Sequence, residues 1–467
     1  MATLVLLLII PIAFFGFVRF EERDRPEMAV LVILGLLVTE ALIYPSQNEV
    51  PGGLFHPSAG GRALRLPELM IPLALAARLL VRGMPRRIGG TAIAWTAFVT
   101  WVALGLPIGV LMENSFDEGY FQAKAVVYLG GGFALVAGIP AARFAHGLAP
   151  RRLLLALGIV AGLSAPSALA DSSLPLDLPG LPGASLGQIS PDAATILSVI
   201  AVTALLLEAA RRRRRLVYGL AAVPLLLSPF IATQRAAVLG LAATIGALLV
   251  VSAGPTWSRR IRCTPTEVGL LVGIILVPVL ATITVRAAFQ TDTTTEFVPY
   301  SGILADTFTA ERKVQSAETR ENLWQTGLDD GAQYPITGWG LGKTYSVERA
   351  AQPGVYLQGG GYHNVLIDLY VRRGLVGLAL FLAAVTCTLQ DALRTWRRHP
   401  DRRIAVFAVA CGAGFVGLLA KGMVESVFEK FRLATLMGLL IGAIASAATS
   451  YSRSTSSRAE APQPLST

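Results

Sequence analysis

The sequence predicts an all-α polytopic membrane protein with about 12 to 13 transmembrane helices. Of its 467 residues, 53% are hydrophobic and only 15% are charged, and the mean hydropathy is +0.58. Soluble domains usually carry about 25% charged residues, so this composition argues against an ordinary soluble protein. Apolar stretches also recur along the chain at the length of roughly 17 to 25 residues that crosses a bilayer.

Thirteen apolar segments are long enough to be considered as membrane spans. If the first of them only lies in the membrane interface, twelve remain. No basic residue precedes that first segment, so we expect a retained helix rather than a cleaved signal peptide. The segments lie near residues 2–18, 28–44, 67–82, 91–112, 123–140, 153–170, 192–210, 216–232, 236–253, 267–288, 364–390, 404–424 and 431–450.

Positive charge in short loops predicts the orientation of these segments. Half of the 40 lysines and arginines lie in five short loops, which alternate with loops poor in positive charge. Because basic loops stay in the cytoplasm, we expect the N-terminus outside and the C-terminus inside. The net charge of +10 indicates no nucleic-acid partner, since that binding needs a basic face on a soluble module. The five loops span residues 78–87, 143–152, 211–215, 259–262 and 394–403.

One long outward segment separates the tenth predicted helix from the eleventh. Residues 289–363 hold nine acidic and five basic residues, and a loop of this length is usually functional or disordered. Its turn glycines and a predicted short amphipathic helix near 316–328 favour an ordered cap over the outer surface. The predicted organisation is transmembrane helices 1–10 over residues 1–288, the cap loop over 289–363, helices 11–13 over 364–450 and a disordered cytoplasmic tail over 451–467.

A single histidine lies where the cap loop gives way to the eleventh helix. His363 is one of only four histidines in the chain. At such a boundary a histidine can occupy a water-filled pocket, where an ordinary pKa of about 6.5 suits proton transfer at neutral pH. The alternative is an interfacial histidine that anchors the end of the helix.

Two arginines are candidates for binding an anion. Arg235 interrupts nearly 40 apolar residues, and an arginine in a bilayer costs about 2.5 to 3.5 kcal/mol even on lenient scales, so it is usually paired, snorkelling or functional. Arg320 in the cap loop offers a guanidinium fork for phosphate. Equally, Arg320 can pair with Glu318, Glu321 or Asp329 in an ordinary surface network.

These residues belong to short motifs that resemble a known family. His363-Asn364 is followed by nine residues, Gly374, two residues and Gly377. This spacing resembles a motif of the bacterial O-antigen ligases and the related O-antigen polymerases. The resemblance covers residues 216–382 and departs from the family where Arg372 and Arg373 stand in place of an acidic residue that often precedes the first glycine. The other similar motifs are Arg235-x3-Leu239, Arg320-x3-Trp324 and Pro335-x2-Gly338-x-Gly340.

The resemblance implies an inverting GT-C-like glycosyltransferase that needs no metal or other cofactor. Such an enzyme moves an oligosaccharide or polysaccharide from undecaprenyl diphosphate to a lipid, glycan or protein acceptor at the outer face of the inner membrane. By this resemblance His363 is the general base and Arg235 and Arg320 bind the donor diphosphate. The supporting residues are Asn364, Trp324 and Gly374. The three cysteines show no metal-ligand spacing, and the predicted outward loops contain no Asp-x-Asp pair.

Three alternatives stay open at this point. The shared motifs do not separate a ligase, which transfers a finished chain, from a polymerase, which joins repeat units. A transporter or flippase of lipid-linked sugars is the second alternative, although transporters place charged or broken helices near the bilayer midplane. The predicted membrane interior holds few charges, mainly Glu40 and Glu208. A membrane scaffold without catalysis is the third.

Overall fold

The computed structural model describes most of the chain but not all of it. The described residues are 2–42, 58–59, 62–63, 66–83, 89–147, 149–169, 176–177, 185–186, 191–210, 215–231, 235–254, 256, 311–349, 352–359 and 361–459. The predicted segment 267–288 and the first part of the predicted cap loop, 289–310, lie outside these residues.

Within the described residues the chain forms fourteen α-helices. They are α1 (Ala2–Glu22), α2 (Glu27–Leu42), α3 (Leu66–Arg82), α4 (Gly90–Leu111), α5 (Phe116–Ala137), α6 (Ala141–His146), α7 (Ala149–Leu169), α8 (Pro191–Ala209), α9 (Arg215–Ile231), α10 (Arg235–Ser252), α11 (Glu311–Gln333), α12 (Val365–Arg398), α13 (Arg402–Gly422) and α14 (Phe431–Ala459).

Short antiparallel hairpins and one 3-10 turn complete the described structure. The pairs β1 (Ser58–Ala59) with β2 (Arg62–Ala63) and β3 (Leu176–Asp177) with β4 (Ser185–Leu186) have two residues in each strand. The longer pair is β5 (Tyr345–Arg349) with β6 (Gln352–Gly359), in register from Tyr345 opposite Gly359 and irregular between Glu348 and Arg349. A 3-10 turn, Val427–Glu429, joins α13 to α14.

The predicted fold class is confirmed: the chain is an all-α, multi-pass membrane protein. Every predicted segment within the described residues coincides with a helix. Among the described residues, six helices qualify as membrane spans by length and apolarity together, and shorter apolar helices cover Glu27–Thr39, Val217–Pro229 and Ala236–Ser252. The last helix continues to Ala459, beyond the predicted end at 450, and residues 460–467 lie outside the described residues. The six are Gly90–Leu111, Phe116–Ala137, Asp192–Ala209, Val365–Arg398, Arg402–Gly422 and Phe431–Tyr451.

Close helix contacts in the core rely on aromatic rings and on glycines. Rings of α4, α12, α13 and the 3-10 turn meet mostly edge to face, an arrangement that aromatic quadrupoles favour. The crossing of α5 and α14 is so close that a Cβ on Gly132 would lie 2.7 Å from the Thr435 carbonyl oxygen. Small residues at such crossings are typical of membrane helices. The aromatic cluster comprises Trp95, Phe98, Phe381, Phe415 and Phe428.

Ion pairs that link the basic loops to one another and to the turn between α1 and α2 define one end of the helix bundle, which we call the basic-loop end. Arg82 Nη2 lies 2.8 Å from Asp24 Oδ1, and Arg143 also pairs with Asp24. His146 Nε2 lies 2.7 Å from Asp401 Oδ2. The predicted alternation of the helices therefore agrees with the observed contacts. We call the opposite end, where α8, α10, α12 and α14 begin, the site end.

Candidate functional site

His363 lies at the site end, immediately before α12, with its backbone fixed and its side chain exposed. Its φ angle of 52° is uncommon for a residue other than glycine, so the surrounding contacts must hold it there. The backbone N–H donates to Ser426 Oγ at 3.2 Å. Asn364 caps α12, because its Oδ1 accepts hydrogen bonds from the backbone N–H groups of Leu366 at 3.0 Å and Ile367 at 3.4 Å.

Tyr362, the residue before His363, connects this part of the chain to α11 and β5. Tyr362 is fully buried, and its backbone N–H donates to Asp368 Oδ1 at 2.8 Å. Its phenol donates to Asp330 Oδ2, also at 2.8 Å. Burial and the neighbouring Asp330 carboxylate raise the pKa of Tyr362, so its hydroxyl stays protonated as a donor. Tyr362 packs in a small apolar core with Leu323 of α11, Tyr345 and Val347 of β5 and Val371 of α12.

The helix α11 carries the predicted site residues Arg320 and Trp324. It is longer than the predicted helix at 316–328. Close packing on α12 depends on glycine, because a Cβ on Gly327 would lie 2.5 Å from Ile367 Cγ2. Arg320 is exposed and stands two turns before Gly327 on the same helix face, about 10 Å along the axis. Trp324 is half-buried, and its indole nitrogen has no hydrogen-bond partner among the described residues.

The predicted supporting residue Gly374 creates a kink in α12. Its φ of 63° and ψ of −168° interrupt the helix, and the freed backbone pairs with residues 335–342, which we call the glycine loop. The N–H of Leu375 donates to the Pro335 carbonyl at 2.7 Å, and the N–H of Trp339 donates to the Val371 carbonyl at 2.8 Å. The glycine loop is therefore held against the kink of α12 by backbone hydrogen bonds.

The other face of the glycine loop binds α4 and α5. The N–H of Leu341 donates to the Gly105 carbonyl at 2.7 Å, and Asn114 Nδ2 donates to the Trp339 carbonyl at 2.7 Å. The N–H of Gly342 donates to Gln122 Oε1 at 2.9 Å. The glycine loop is thus held between the kink of α12 and two helices from the N-terminal half of the chain.

We expect Gly374→Ala to lower the thermal stability of the purified protein. An added Cβ would overlap the Ile336 carbonyl and lie 2.6 Å from the Thr337 nitrogen, in a left-handed conformation that an L side chain rarely adopts. Such strain costs about 1 to 3 kcal/mol. Gly246→Ala in α10 is the matched control, because nothing lies within 4 Å of its added Cβ. Equal apparent Tm values for both variants would contradict the assigned role of Gly374.

The third predicted residue, Arg235, begins α10 at the same end of the bundle. Its side chain lies outside the described residues. The helix α10 packs on α13, since a Cβ on Gly240 would lie 3.1 Å from the Gly417 carbonyl oxygen and 3.6 Å from Lys421 Cβ. Five residues before Gly240, about 7 Å along the axis, the Arg235 backbone reaches the level where α13 ends. The segment after α13 holds His363 through Ser426.

A group of charged residues, most of them buried, adjoins the segment that contacts His363 and was not predicted from the sequence. Lys421 is fully buried, with Nζ 2.9 Å from Thr195 Oγ1, 3.2 Å from Glu425 Oε2 and 3.7 Å from Asp192 Oδ1. Lys430 also pairs with Asp192, at 3.4 Å, and with Glu425. Arg432 lies 3.7 Å from Asp192. We call Asp192, Lys421, Glu425, Lys430 and Arg432 the site-end ion network.

The charges of this network are mutually stabilised. Burial alone would raise the pKa of Glu425, but the nearby Lys421 and Lys430 ammonium groups lower it overall. Burial alone would lower the pKa of Lys430, but Asp192 and Glu425 raise it overall. Because Glu425 immediately precedes Ser426, the network holds the segment that contacts the backbone of His363.

The predicted list of membrane charges was therefore incomplete. Glu208 pairs with Arg151 at the basic-loop end, with a distance of 2.7 Å from Arg151 Nη2 to Glu208 Oε2, and the Glu40 side chain lies outside the described residues. The signal for the network was present in the sequence, because Lys421 lies inside a predicted membrane segment. A charge in such a place is usually paired or functional.

Comparison with known proteins identifies part of the chain. Residues 220–382 match a family model described as O-antigen ligase. This stretch includes Arg235, Arg320 and His363, and over these residues the match bears out the resemblance to this family that the motifs indicated. A search of curated proteins finds no match to the chain. The match supports a membrane glycan-processing enzyme that acts on lipid-linked glycans.

Proposed function

We propose that this multi-pass membrane protein, which carries an O-antigen ligase domain at residues 220–382, is a lipid-linked-glycan-dependent glycosyltransferase. Its donor is a glycan on undecaprenyl diphosphate, and its acceptor is a lipid, another glycan or a protein. The reaction takes place on the outer face of the inner membrane, within a GT-C-like fold, and involves no metal.

The observation that carries this proposal is the environment of His363. Its side chain is exposed, while its left-handed backbone is held by Ser426 on one side and by the anchored Tyr362 on the other. The start of α10, which bears Arg235, and the exposed Arg320 of α11 lie at the same end of the bundle. One imidazole and two guanidinium groups can therefore serve a single substrate that enters from this end.

The chemistry is a single displacement. His363 accepts the proton of an acceptor hydroxyl while that oxygen attacks the anomeric carbon of the donor glycan. The new carbon–oxygen bond forms as the bond from the anomeric carbon to the diphosphate oxygen breaks. The lipid diphosphate leaves with the bonding electron pair, and the configuration at the anomeric carbon is inverted.

The arginines compensate the negative charge of the leaving group. A lipid diphosphate carries two or more negative charges and gains another as it departs, so preorganised cations lower the barrier. Arg235 and Arg320 supply planar donors that match phosphate oxygens in pairs. The indole N–H of Trp324, one helical turn from Arg320, is buried and has no hydrogen-bond partner among the described residues.

We expect Arg235→Ala and Arg320→Ala to weaken the use of the donor more than the use of the acceptor. Loss of a charge-assisted hydrogen bond typically costs about 1.5 to 3 kcal/mol, so kcat/KM for the donor should fall about 10- to 100-fold. The measurement is transfer in vitro from a defined undecaprenyl-diphosphate oligosaccharide to candidate lipid, glycan and protein acceptors.

Arg398→Ala is the matched control for this experiment. Arg398 is exposed at the basic-loop end of α12, so its removal should leave donor kinetics unchanged. The same assay is repeated with EDTA, and transfer should persist. Loss of transfer with EDTA and recovery with Mg²⁺ or Mn²⁺ would contradict the metal-free mechanism, while unchanged donor kinetics in both arginine variants would contradict their assignment.

A further inference from the structure

A small pocket with two buried arginines lies beside α12, next to the candidate site. Its volume of about 30 Å³ is large enough for two or three water-sized groups. Four polar side chains line it: Gln122, Asp368, Arg372 and Arg373. Its apolar walls are formed by Phe98, Val102, Val126, Leu369 and Phe428.

The charges around the pocket are not balanced. Arg372 is 6% exposed and Arg373 is 4% exposed, whereas Asp368 is the single carboxylate among the lining residues. Asp368 Oδ1 lies 3.7 Å from Arg372 Nη2 and also accepts the hydrogen bond from the Tyr362 N–H. The lining of the pocket therefore holds two guanidinium groups and one carboxylate.

Arg373 is the less satisfied of the two arginines. Its Nη1 donates to the Arg372 carbonyl at 3.3 Å, and its Nε has no hydrogen-bond partner among the described residues. Burying a guanidinium is unfavourable unless its donors are paired. A ligand with several acceptor oxygens and a negative charge would satisfy these donors.

The position of the Arg373 guanidinium is set by its surroundings. The backbone carbonyl of Arg373 accepts a hydrogen bond from Trp101 Nε1 at 3.1 Å. Glycines at 105 and 377 leave room for the side chain, because a Cβ on Gly105 would lie 3.0 Å from Arg373 Cζ and a Cβ on Gly377 would overlap Arg373 Cβ. A charged group held this way is preorganised, which reduces the entropy lost on binding a ligand.

We propose that this pocket binds a phosphate-type anion through Arg372 and Arg373, with the Gln122 amide as a further polar contact. The apolar walls favour a phosphate carried on a lipid over a free one, because an attached chain can lie against them. The pocket faces the first turns of the helix that follows His363. The bound phosphate and the reacting glycan belong to one molecule only if the proposed function is correct, so this step rests on that function. The anion site itself does not rest on it.

The test measures binding to the purified full-length protein in detergent by calorimetry. Inorganic pyrophosphate and farnesyl diphosphate are the two probes, and all variants are made in an Arg235→Ala, Arg320→Ala background so that the proposed donor site contributes little. We expect Arg373→Met to weaken binding of farnesyl diphosphate by about 10- to 100-fold, the range for charge-assisted hydrogen bonds. Arg398→Met at the far end of α12 should have no effect.

The choice of variants separates binding from folding. Methionine fills the space between the two glycines, and thermal unfolding without ligand reports whether the variant folds. Arg373→Lys, which keeps the charge but loses the planar fork, should weaken binding to a smaller extent. Binding of farnesyl diphosphate alone assigns the pocket to a lipid-linked phosphate, and equal binding of pyrophosphate assigns it to a free anion.

Two outcomes would overturn the anion site. One is the absence of binding by either probe, and the other is an affinity that Arg373→Met leaves unchanged. Neither outcome bears on glycan transfer by His363. Conversely, if the protein proves not to catalyse glycan transfer, an affinity that depends on Arg373 would still support the anion site.

Discussion

We expect His363→Asn to reduce glycan transfer by about 10²- to 10⁴-fold, the usual contribution of a general base. Asparagine is the informative replacement, because His363 has a φ of 52° and asparagine tolerates this left-handed conformation better than alanine does. The backbone contact with Ser426 should therefore survive while the proton acceptor is lost. The measurement is transfer from undecaprenyl-diphosphate oligosaccharide, together with thermal unfolding of the same preparation.

His146→Asn is the matched control for this experiment. His146 is exposed at the basic-loop end, where it pairs with Asp401, so it is remote from the candidate site. Its replacement should leave transfer unchanged. Full transfer by a folded His363→Asn protein would remove the base role from His363, and the histidine would then be an anchor of the helix end.

The second large effect is expected for Asp192→Asn in the site-end ion network. Asp192 lies within 3.7 Å of charged atoms on Lys421, Lys430 and Arg432. Its neutralisation leaves those three cations with Glu425 as the remaining carboxylate of the network. Breaking a buried ion pair in this way typically costs about 3 to 5 kcal/mol, so the apparent Tm in detergent should fall markedly.

A double variant distinguishes charge imbalance from simple loss of a side chain. Asp192→Asn combined with Lys421→Met restores the excess of one positive charge found in the native network, and we expect it to recover part of the lost stability. Asp329→Asn on the exposed face of α11 should change stability by no more than about 0.5 kcal/mol. A stable Asp192→Asn protein would show that the network contributes little to the fold.

The apolar segments predicted the helices well because each helix must satisfy its own backbone in a bilayer. The helix ends were harder to predict. Hydropathy placed one segment at 123–140, whereas α5 begins at Phe116, where Ser115 Oγ accepts a hydrogen bond from the N–H of Glu118. Similarly, α12 continues through polar residues to Arg398. Hydropathy indicates only the part of a helix that crosses the apolar layer of the membrane, and the helix can extend beyond that part.

Parts of the candidate site could be predicted where the signal is local. The change from a polar to an apolar stretch indicates His363, and the motif spacing indicates Gly374, which has a positive φ. Lys421 signals a buried charge, but the partners that form the ion network and the arginine pocket could not be predicted in the same way. Asp192 meets Lys421, and Gln122 meets Gly342, across more than 200 residues, and a single sequence holds no record of such pairs.

The glycine loop has a consequence for how this protein can be divided or recombined. The family match begins at residue 220, yet the loop inside it is fastened to the Gly105 carbonyl, Asn114 and Gln122, which lie well upstream. The matched stretch is therefore not a self-contained module. A chimera that exchanged it alone with a relative would present the loop to foreign helices, so any successful transplant must carry α4 and α5 with it.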